Sequence, residues 1–544
     1  MTQSGKRKKR AWLMGGFAAL GLLAPTLALA LDSSVGEGGI NALRLQQAPY
    51  NLTGKKIGIG QVEIGRPGKF GLDKAYSWNP RLNIVGVFLR DRLANPNIHV
   101  DTHAAMVAMV MVSGEKRLPG VAPDAKLYSS AVGSLRRSGQ PEECLASQHV
   151  ALQNGGDVRA INYSFGESLD RDSRDNAILD GNALLTQCVD WSARVHNVLY
   201  VIAGNQGGGG IPIPTDHYNG ISTAYSMKRD GQFTKVDFAN LSDLPEGIGR
   251  TLIAREINVG ERRAISLVAP GSKISVFDLE GNQTQVSGTS FAAPHITASV
   301  ALLQEYGDRQ GRQASPDRSL QTSSPQWSLD SRRHEVMKAV LLNSADKIQD
   351  TGDGMLLGME RTTLTKNNRN WLESDAYQNE KIPLDIQMGA GHLNAFRAYQ
   401  QFSPGQWSPE SAIPPVGWDY RSVEAQSYQD YVLEQPLQAG SFASVTLSWD
   451  RLVELEDQNN NNLFDIGEKF RDRGLNDLNV YLLPLDSNNK SSSVCASTSN
   501  TDSIEHIFCK IPQNGRYKIR VQYQQQKNEP TQPYALAWWT VPTP

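Results

Sequence analysis

Short continuous apolar runs alternate with helical stretches from Ile57 to about residue 400, and this alternation constrains the fold most strongly. Continuous apolar runs are typical of strands in a sheet that is covered on both faces. Strands that alternate with helices predict an α/β domain with a mostly parallel sheet. The predicted strands are Lys56–Val62, Asn83–Leu89, Lys126–Val132, Ala160–Phe165, Val198–Ala203 and Ile265–Val268. The predicted helices are His103–Val112, Glu142–Asn154, Asn182–Val195, Ser290–Tyr306 and Glu335–Asp346.

The pattern changes near residue 403. Four prolines and several serines in Ser403–Asp419 predict a linker. Beyond it, Val445, Leu447 and Trp449 alternate with polar residues, which is typical of antiparallel strands with one buried face. We therefore expect an α/β domain over residues 31–402, a linker over 403–419 and an antiparallel β-sandwich domain over 420–544.

The first thirty residues read as a secretory signal peptide. A basic block, Lys6–Arg10, precedes an apolar run that ends in the small-x-small pattern Ala28-Leu29-Ala30. The alternative is an N-terminal membrane anchor, because an apolar run of this length could span a bilayer. Cleavage would predict a secreted or periplasmic protein with no stable membrane insertion. Loss of five basic residues from a chain of net charge −2 leaves a net charge of −7, which argues against a nucleic-acid partner.

Four residues lie where an α/β sheet places its chemistry. Ser290 sits where a loop enters an apolar helix, and the N–H groups of a helix start suit a developing oxyanion. His103 opens another apolar helix, whereas Glu63 and Asn205 each follow a predicted buried strand. The ordinary alternatives are a capping serine and a solvated histidine. None of these residues decides the function alone.

Glu63, His103 and Ser290 follow one another along the chain in the order carboxylate, histidine, serine. Four motifs accompany them: Asn162-Tyr163-Ser164-Phe165-Gly166, Ala203-Gly204-Asn205, Ala269-Pro270-Gly271 and Gly288-Thr289-Ser290-Phe291-Ala292-Ala293-Pro294. With them, the chain resembles the subtilisin-like serine proteases, the subtilases, over roughly residues 40–400. The resemblance implies a subtilisin-like fold for residues 31–402, serine endopeptidase activity on polypeptide substrates, and no cofactor for catalysis.

The resemblance also implies a role for each site residue. Ser290 would attack the scissile carbonyl, His103 would accept its proton, and Glu63 would orient His103. The Asn205 side chain would help to form the oxyanion hole. The substrate-binding walls would comprise Ser164, Phe165, Gly166, Ala203 and Gly204.

Glu63 departs from the family pattern, because the subtilase carboxylate is an aspartate. The extra methylene displaces the carboxylate by about 1.5 Å unless the backbone lies further back. Asp73 is an alternative carboxylate in a predicted loop. For the function of the whole protein, the alternative is a non-catalytic binding scaffold that keeps the subtilisin-like fold and has lost its catalytic activity through Glu63.

A twelve-residue segment, Asp457–Glu468, carries oxygen ligands at the spacing of an EF-hand loop. It predicts a structural Ca²⁺ in the C-terminal domain, and this would favour a calcium-dependent adhesion or targeting role as a further alternative. A solvated Asn-rich hairpin loop explains the segment equally well. The predicted ligands are Asp457, Asn459, Asn461, Leu463, Asp465 and Glu468.

The four cysteines divide between the two domains. Cys144 and Cys188 lie in predicted helices that precede neighbouring strands, and such helices can pack side by side on one face of the sheet. Cys495 and Cys509 flank a short segment of the β-sandwich. We expect the disulfides Cys144–Cys188 and Cys495–Cys509, with four buried free thiols as the alternative.

Overall fold

The computed structural model describes residues 33–75, 81–133, 139–175, 177–204, 213–236, 262–314 and 326–544. The predicted signal peptide, residues 1–30, lies outside this part of the chain. Among the helices that are described, none combines the length and apolarity that a membrane span requires.

The N-terminal domain contains a sheet of ten described strands, and most of its central strands are parallel. Its strand order is β14-β10-β9-β8-β7-β1-β6-β2-β3, with β11 paired to β9. The strands of this domain are β1 Gly58–Glu63, β2 Ile84–Leu89, β3 Arg92–Leu93, β4 Gly114–Glu115, β5 Leu118–Pro119, β6 Lys126–Ala131, β7 Val158–Tyr163, β8 Leu199–Ala203, β9 Ile221–Arg229, β10 Gln232–Lys235, β11 Leu267–Pro270, β12 Ile274–Phe277, β13 Gln283–Val286 and β14 Thr363–Leu364.

Helices pack against this sheet. The α-helices are α1 Ala42–Gln46, α2 Thr102–Val112, α3 Gln140–Ala151, α4 Gln153–Gly156, α5 Leu184–His196, α6 Thr289–Ala314, α7 His334–Asn343, α8 Asp375–Gln378 and α9 Ala395–Phe402. β1 is buried along its whole length, because α3 and α6 both contact it. These layers confirm the predicted α/β class with a mostly parallel sheet.

Sequence and structure differ at some element boundaries. The predicted helix Glu142–Asn154 is broken, because Asn154 and Gly155 adopt positive φ angles of 55° and 74°. β9 was not predicted, because Ser222, Thr223 and Ser226 interrupt its apolar run. All three are nevertheless buried, so the strand belongs to the interior of the sheet.

The C-terminal domain consists mainly of two antiparallel sheets, ordered β15-β24-β17-β22 and β16-β23-β20-β21. Side chains from both sheets, including Trp449 and Trp538, form a common apolar core. The strands are β15 Val416–Glu424, β16 Tyr428–Val432, β17 Phe442–Trp449, β18 Val453–Glu456, β19 Lys469–Asp472, β20 Asp477–Pro484, β21 Cys495–Ser497, β22 Ile504–Lys510, β23 Tyr517–Gln525 and β24 Thr531–Trp539.

The segment 403–419 differs from a solvated linker at its C-terminal end. β15 begins at Val416, inside this segment. Trp418 is buried, and its indole N–H donates to the carbonyl of Phe402 over 2.9 Å. The prolines predict an irregular chain, but the end of the segment packs into the apolar core because Trp418 is buried there.

Each domain has one disulfide. Cys144 on α3 is bonded to Cys188 on α5, with a Cα–Cα distance of 5.8 Å. Cys495 on β21 is bonded to Cys509 on β22, with a Cα–Cα distance of 6.5 Å. These are the two pairs expected from the sequence.

A buried ion pair joins the two domains. Arg451 follows β17 in the C-terminal domain, and its Nη2 lies 2.7 Å from Oδ2 of Asp190 on α5. Both side chains are almost inaccessible to solvent. Asn219 also bonds the backbone of Arg451 in both directions. Because removal of one partner leaves the other charge buried without compensation, this pair ties the domains strongly together.

We expect Arg451→Leu to lower the free energy of unfolding of the full chain by about 3–5 kcal/mol, because Asp190 then stays buried without its cation. The matched control is Arg194→Leu, which breaks the exposed interdomain pair Arg194–Glu529. That variant should lose less than about 1 kcal/mol, since solvent screens exposed pairs. Urea unfolding measures both variants, and equal losses would contradict the role of the buried pair.

Candidate active site

Glu63 is the last residue of β1, and its side chain is buried. β1 lies between β6 and β7 in parallel register, so the carboxyl ends of all three strands meet at one edge of the sheet. Active sites of parallel α/β sheets form at this edge. Oε1 of Glu63 is buried without a hydrogen-bond partner. The other oxygen faces α2.

His103 is the second residue of α2, whose first turn is capped by Asp101. The Asp101 carboxylate accepts a hydrogen bond from the N–H of Ala104 over 2.9 Å. Nδ1 of His103 lies 3.5 Å from Oε2 of Glu63. Gln61 lies two residues before Glu63 and donates to the carbonyl of Ala104 over 3.0 Å. β1 therefore positions α2 and the histidine through two of its side chains.

The pKa of His103 is raised above its ordinary value of 6.5. Burial acts in the opposite direction and lowers the pKa, but the hydrogen bond that the ring donates to Glu63 and the negative charges of Glu63 and Asp101 outweigh it. The neighbouring carboxylates thus favour the protonated ring. A histidine of this kind suits a general base that must hold a proton after accepting it.

Ser290 is the second residue of α6, and its helix start approaches His103 through the next residue. The ring of its neighbour Phe291 packs edge-on against the His103 ring, with 5.6 Å between ring centroids. The Ser290 hydroxyl donates to the carbonyl of Ser164 over 3.2 Å, and the Ser164 hydroxyl donates to the carbonyl of Ser290 over 2.8 Å. Both residues belong to the described part of the chain, and within it no hydrogen bond joins Ser290 to His103.

The predicted substrate walls lie on both sides of this serine. Ser164, Phe165 and Gly166 follow β7, whereas Ala203 ends β8 and Gly204 follows it. The Thr289 hydroxyl donates to the carbonyl of Gly204 over 2.9 Å. The start of α6 is thus hydrogen-bonded to the ends of two adjacent parallel strands.

Two predicted residues do not appear at this site. Asn205 lies outside the described residues, so its oxyanion role stays a prediction. Asp73, the alternative to Glu63, forms a bidentate ion pair with Arg66 instead. Its carboxylate is already satisfied there, which leaves Glu63 as the carboxylate in contact with His103.

Asp101 and Gln61 are absent from the residues predicted above, although both help to position the histidine. Asp101 was recognisable in the sequence, because an aspartate before an apolar helical run is typical of an N-cap. Gln61 was not, since a polar residue inside a buried strand gives no indication of its partner. Only the three-dimensional contact with Ala104 identifies it.

The predicted calcium loop connects β18 to β19 and is largely exposed. Asp457 accepts hydrogen bonds from the N–H groups of Asn461 and Asn462, at 3.3 and 2.7 Å. Glu468 accepts from the N–H groups of Gln458 and Asp465, at 2.8 and 2.9 Å. The loop is therefore closed at both ends by the carboxylates at its first and last positions.

The interior of the loop brings three more predicted ligands together. The side-chain amides of Asn459 and Asn461 both donate to Oδ2 of Asp465, at 2.7 and 2.8 Å. Positions 3, 5 and 9 of the loop thus converge on one point. The donor set consists of the amide and carboxylate oxygens that Ca²⁺ prefers. The oxygens of the two amides accept from the N–H groups of Asn461 and Leu463 in this structure, so a half-turn that directed them to that point would break these two bonds.

A family model supports the assignment of the N-terminal domain. Residues 91–359 match the model of the subtilase family. This segment includes His103 and Ser290, whereas Glu63 lies before it. Thermitase from Thermoactinomyces vulgaris is 24% identical over 258 residues, which cover 47% of this chain and 71% of thermitase.

Two further proteins are similar to parts of this chain. A thermostable alkaline protease from Halalkalibacterium halodurans is 25% identical over 263 residues, which cover 47% of this chain and 62% of that protein. The solved structure of the prenylagaramide maturation protease PagA aligns with 19% identity and a TM-score of 0.39, over 63% of this chain and 92% of that chain. Residues 91–359 of this chain therefore match the subtilase family model, and antiparallel sheets follow them in the C-terminal domain.

Proposed function

We propose that this chain is an exported serine endopeptidase that hydrolyses peptide bonds with Ser290, His103 and Glu63. The observation that carries the proposal is the contact of 3.5 Å between Oε2 of Glu63 and Nδ1 of His103, next to the start of the serine helix. A buried carboxylate on one ring nitrogen leaves the other nitrogen for the nucleophile. The subtilase match of the surrounding domain supports the same reaction class.

In the proposed reaction, Ser290 attacks the scissile carbonyl after its hydroxyl leaves the carbonyl of Ser164. A rotation of the Ser290 side chain exchanges this hydrogen bond for one to Nε2 of His103, and such contacts are commonly loose before substrate binds. His103 takes the hydroxyl proton and later gives it to the leaving amine. Glu63 stabilises the imidazolium that forms between these steps.

The tetrahedral intermediate places a negative charge near the start of α6. The backbone N–H of Ser290 points from this helix start, and we assign the second oxyanion donor to the side chain of Asn205. An extended polypeptide would pair with the backbone of residues 164–166 on one side. Ala203 and Gly204 would form the opposite side. None of these steps requires a cofactor.

Export is proposed from residues 1–30, whose basic and apolar segments are typical of a signal peptide. The disulfides of both domains support a compartment in which thiols oxidise. We assign the mature protein to the cell exterior or the periplasm, with polypeptides as its substrates.

We expect the protein to react with a fluorophosphonate probe, and Ser290→Ala to abolish the labelling. His103→Ala should slow peptide hydrolysis by about four orders of magnitude or more, since the three residues act as a unit. Ser299→Ala is the matched control, because this serine lies on the same helix and bonds only the carbonyl of His295. Labelling that persists in Ser290→Ala would refute the assignment, and an unlabelled wild type would favour a binding scaffold.

The pH dependence of kcat/KM tests the role of Glu63. Catalysis needs neutral His103, so activity should fall as the pH drops through the raised pKa, above pH 6.5. In Glu63→Gln, burial still lowers the pKa of His103, and of the two carboxylates that raise it only Asp101 remains. The acid limb should therefore move to lower pH while the maximal rate falls. An unchanged limb in Glu63→Gln would contradict the role of Glu63.

We also propose that the loop 457–468 binds a structural Ca²⁺. The convergence of Asn459, Asn461 and Asp465, with Asp457 and Glu468 at its ends, supports this proposal. The loop also contacts the protease domain. The N–H and C=O of Phe464 are both hydrogen-bonded to the side chain of Gln148 on α3. A cation here would stiffen a contact between the two domains.

Calcium should raise the melting temperature of the full chain, because a ligand of the folded state stabilises it by about 2.7 kcal/mol at one hundred times its Kd. Asp457→Asn combined with Glu468→Gln should remove this shift. Asp230→Asn is the control, since it removes an exposed carboxylate outside the loop. A melting temperature that does not change in millimolar calcium would contradict the proposal and would favour a solvated hairpin loop.

A further inference from the structure

The Arg66 side chain lies fully buried three residues after Glu63. All five of its N–H groups have acceptors. Two of them form a bidentate pair with Asp73, at 2.7 and 2.8 Å. The others donate to the backbone carbonyls of Ile98, Pro67 and Asn95, at 3.1, 3.2 and 3.0 Å. A guanidinium satisfied in this way fixes every chain segment that it contacts.

Asp73 is the counter-ion and is equally buried. Besides Arg66, its carboxylate accepts from the backbone N–H groups of Lys69 and Asn97, both at 2.7 Å. Burial raises the pKa of Asp73, but the hydrogen bonds from Arg66 and from these two amides lower it below its ordinary value. The pair is therefore ionised, and it bonds to two separate segments of the chain, 66–73 and 95–98.

These two segments carry the histidine and its carboxylate. The first begins three residues after Glu63, and the second leads through Asp101 to His103. Their backbones are also joined, because the N–H of Arg66 donates to the carbonyl of His99 and the N–H of Asp101 donates to the carbonyl of Arg66. The distances are 2.8 and 2.9 Å. The Arg66–Asp73 pair thus joins the segment after Glu63 to the segment before His103. We call this ion pair and the two segments that it joins, 66–73 and 95–98, the bracket.

Gly65 allows the backbone before Arg66 to approach the backbone at Asp101 closely. A Cβ atom at position 65 would overlap the Cβ of Asp101, so only glycine permits the two backbones to approach as they do. This close approach lies between the end of β1 at Glu63 and the start of α2 at Thr102, so the bracket joins the two elements that carry the carboxylate and the histidine.

We propose that Arg66 and Asp73 are positioning residues, which hold the Glu63 carboxylate against His103 by joining segment 64–73 to segment 95–101. This inference rests on the proposed function for its catalytic meaning. The inference predicts that the pair changes the pKa of His103 only by positioning the carboxylate of Glu63. A merely structural ion pair would change stability without a specific effect on the histidine.

The variants Arg66→Lys and Asp73→Asn test this coupling. Lysine keeps the charge but cannot make five directed bonds, and asparagine keeps the shape of Asp73 but removes its charge. The pKa of His103 is measured by NMR of its ring, assigned by the signal lost in His103→Gln. Each variant should lower this pKa toward the value of Glu63→Gln. Fluorophosphonate labelling should slow by about ten- to a hundredfold.

The decisive comparison is made in the Glu63→Gln background. If the pair acts through Glu63, Arg66→Lys has no further effect on the pKa of His103 in that background. The control is Arg520→Lys, which alters a bidentate Arg–Asp pair in the β-sandwich. It should leave both the pKa and the labelling rate unchanged.

Two outcomes would overturn the inference. One is an unchanged pKa of His103 in both folded variants, and the other is an equal pKa change with and without Glu63. Should Arg66→Lys fail to fold, Asp73→Asn decides the question by the same two measurements. A wild type that never labels refutes the proposed protease function alone, because the NMR measurements still report whether the pair positions Glu63.

Discussion

The parallel register of β1 between β6 and β7 is the constraint on which the site depends. It places Glu63 opposite Ala131 and Val62 opposite Tyr163, so that three strands end together. This edge of the sheet carries the Glu63–His103 contact and the hydrogen bonds that join the start of α6 to Ser164 and Gly204. A shift of β1 by one residue would turn Glu63 to the other face of the sheet.

Much of this arrangement could be predicted from the sequence. The buried strands were recognisable as continuous apolar runs, and the motif around Ser290 identified the helix that carries it. β9 could not be predicted, because tertiary packing buries its polar residues and the local sequence pattern does not indicate this. The bracket formed by Arg66 and Asp73 was equally hidden. Asp73 read as a loop carboxylate because its partner becomes evident only when residues 66–73 and 95–98 are brought together.

The C-terminal domain is joined to the catalytic half of the molecule by more than its linker. Asp190 lies on α5, which also carries Cys188, and Gln148 lies on α3 together with Cys144. The disulfide between these helices packs against Val453 and Phe464 of the β-sandwich. α3 also contacts β7, which leads into the wall at residues 164–166. The C-terminal domain therefore packs against the helices behind the proposed substrate-binding wall.

The buried, unpartnered oxygen of Glu63 explains why such a bracket is needed. An ionised carboxylate inside a protein is costly when one of its oxygens lacks a hydrogen bond, and the chain would relieve that cost by moving the side chain toward water. Gln61 and the segment held by Arg66 leave no such path, because both tie the surroundings of Glu63 to the helix of His103. In the proposed reaction, Oε1 of Glu63 has no other partner to give up when the imidazolium forms. A carboxylate with all its bonds satisfied beforehand would gain less from that cation, so an oxygen without a partner would favour the transition state over the resting site.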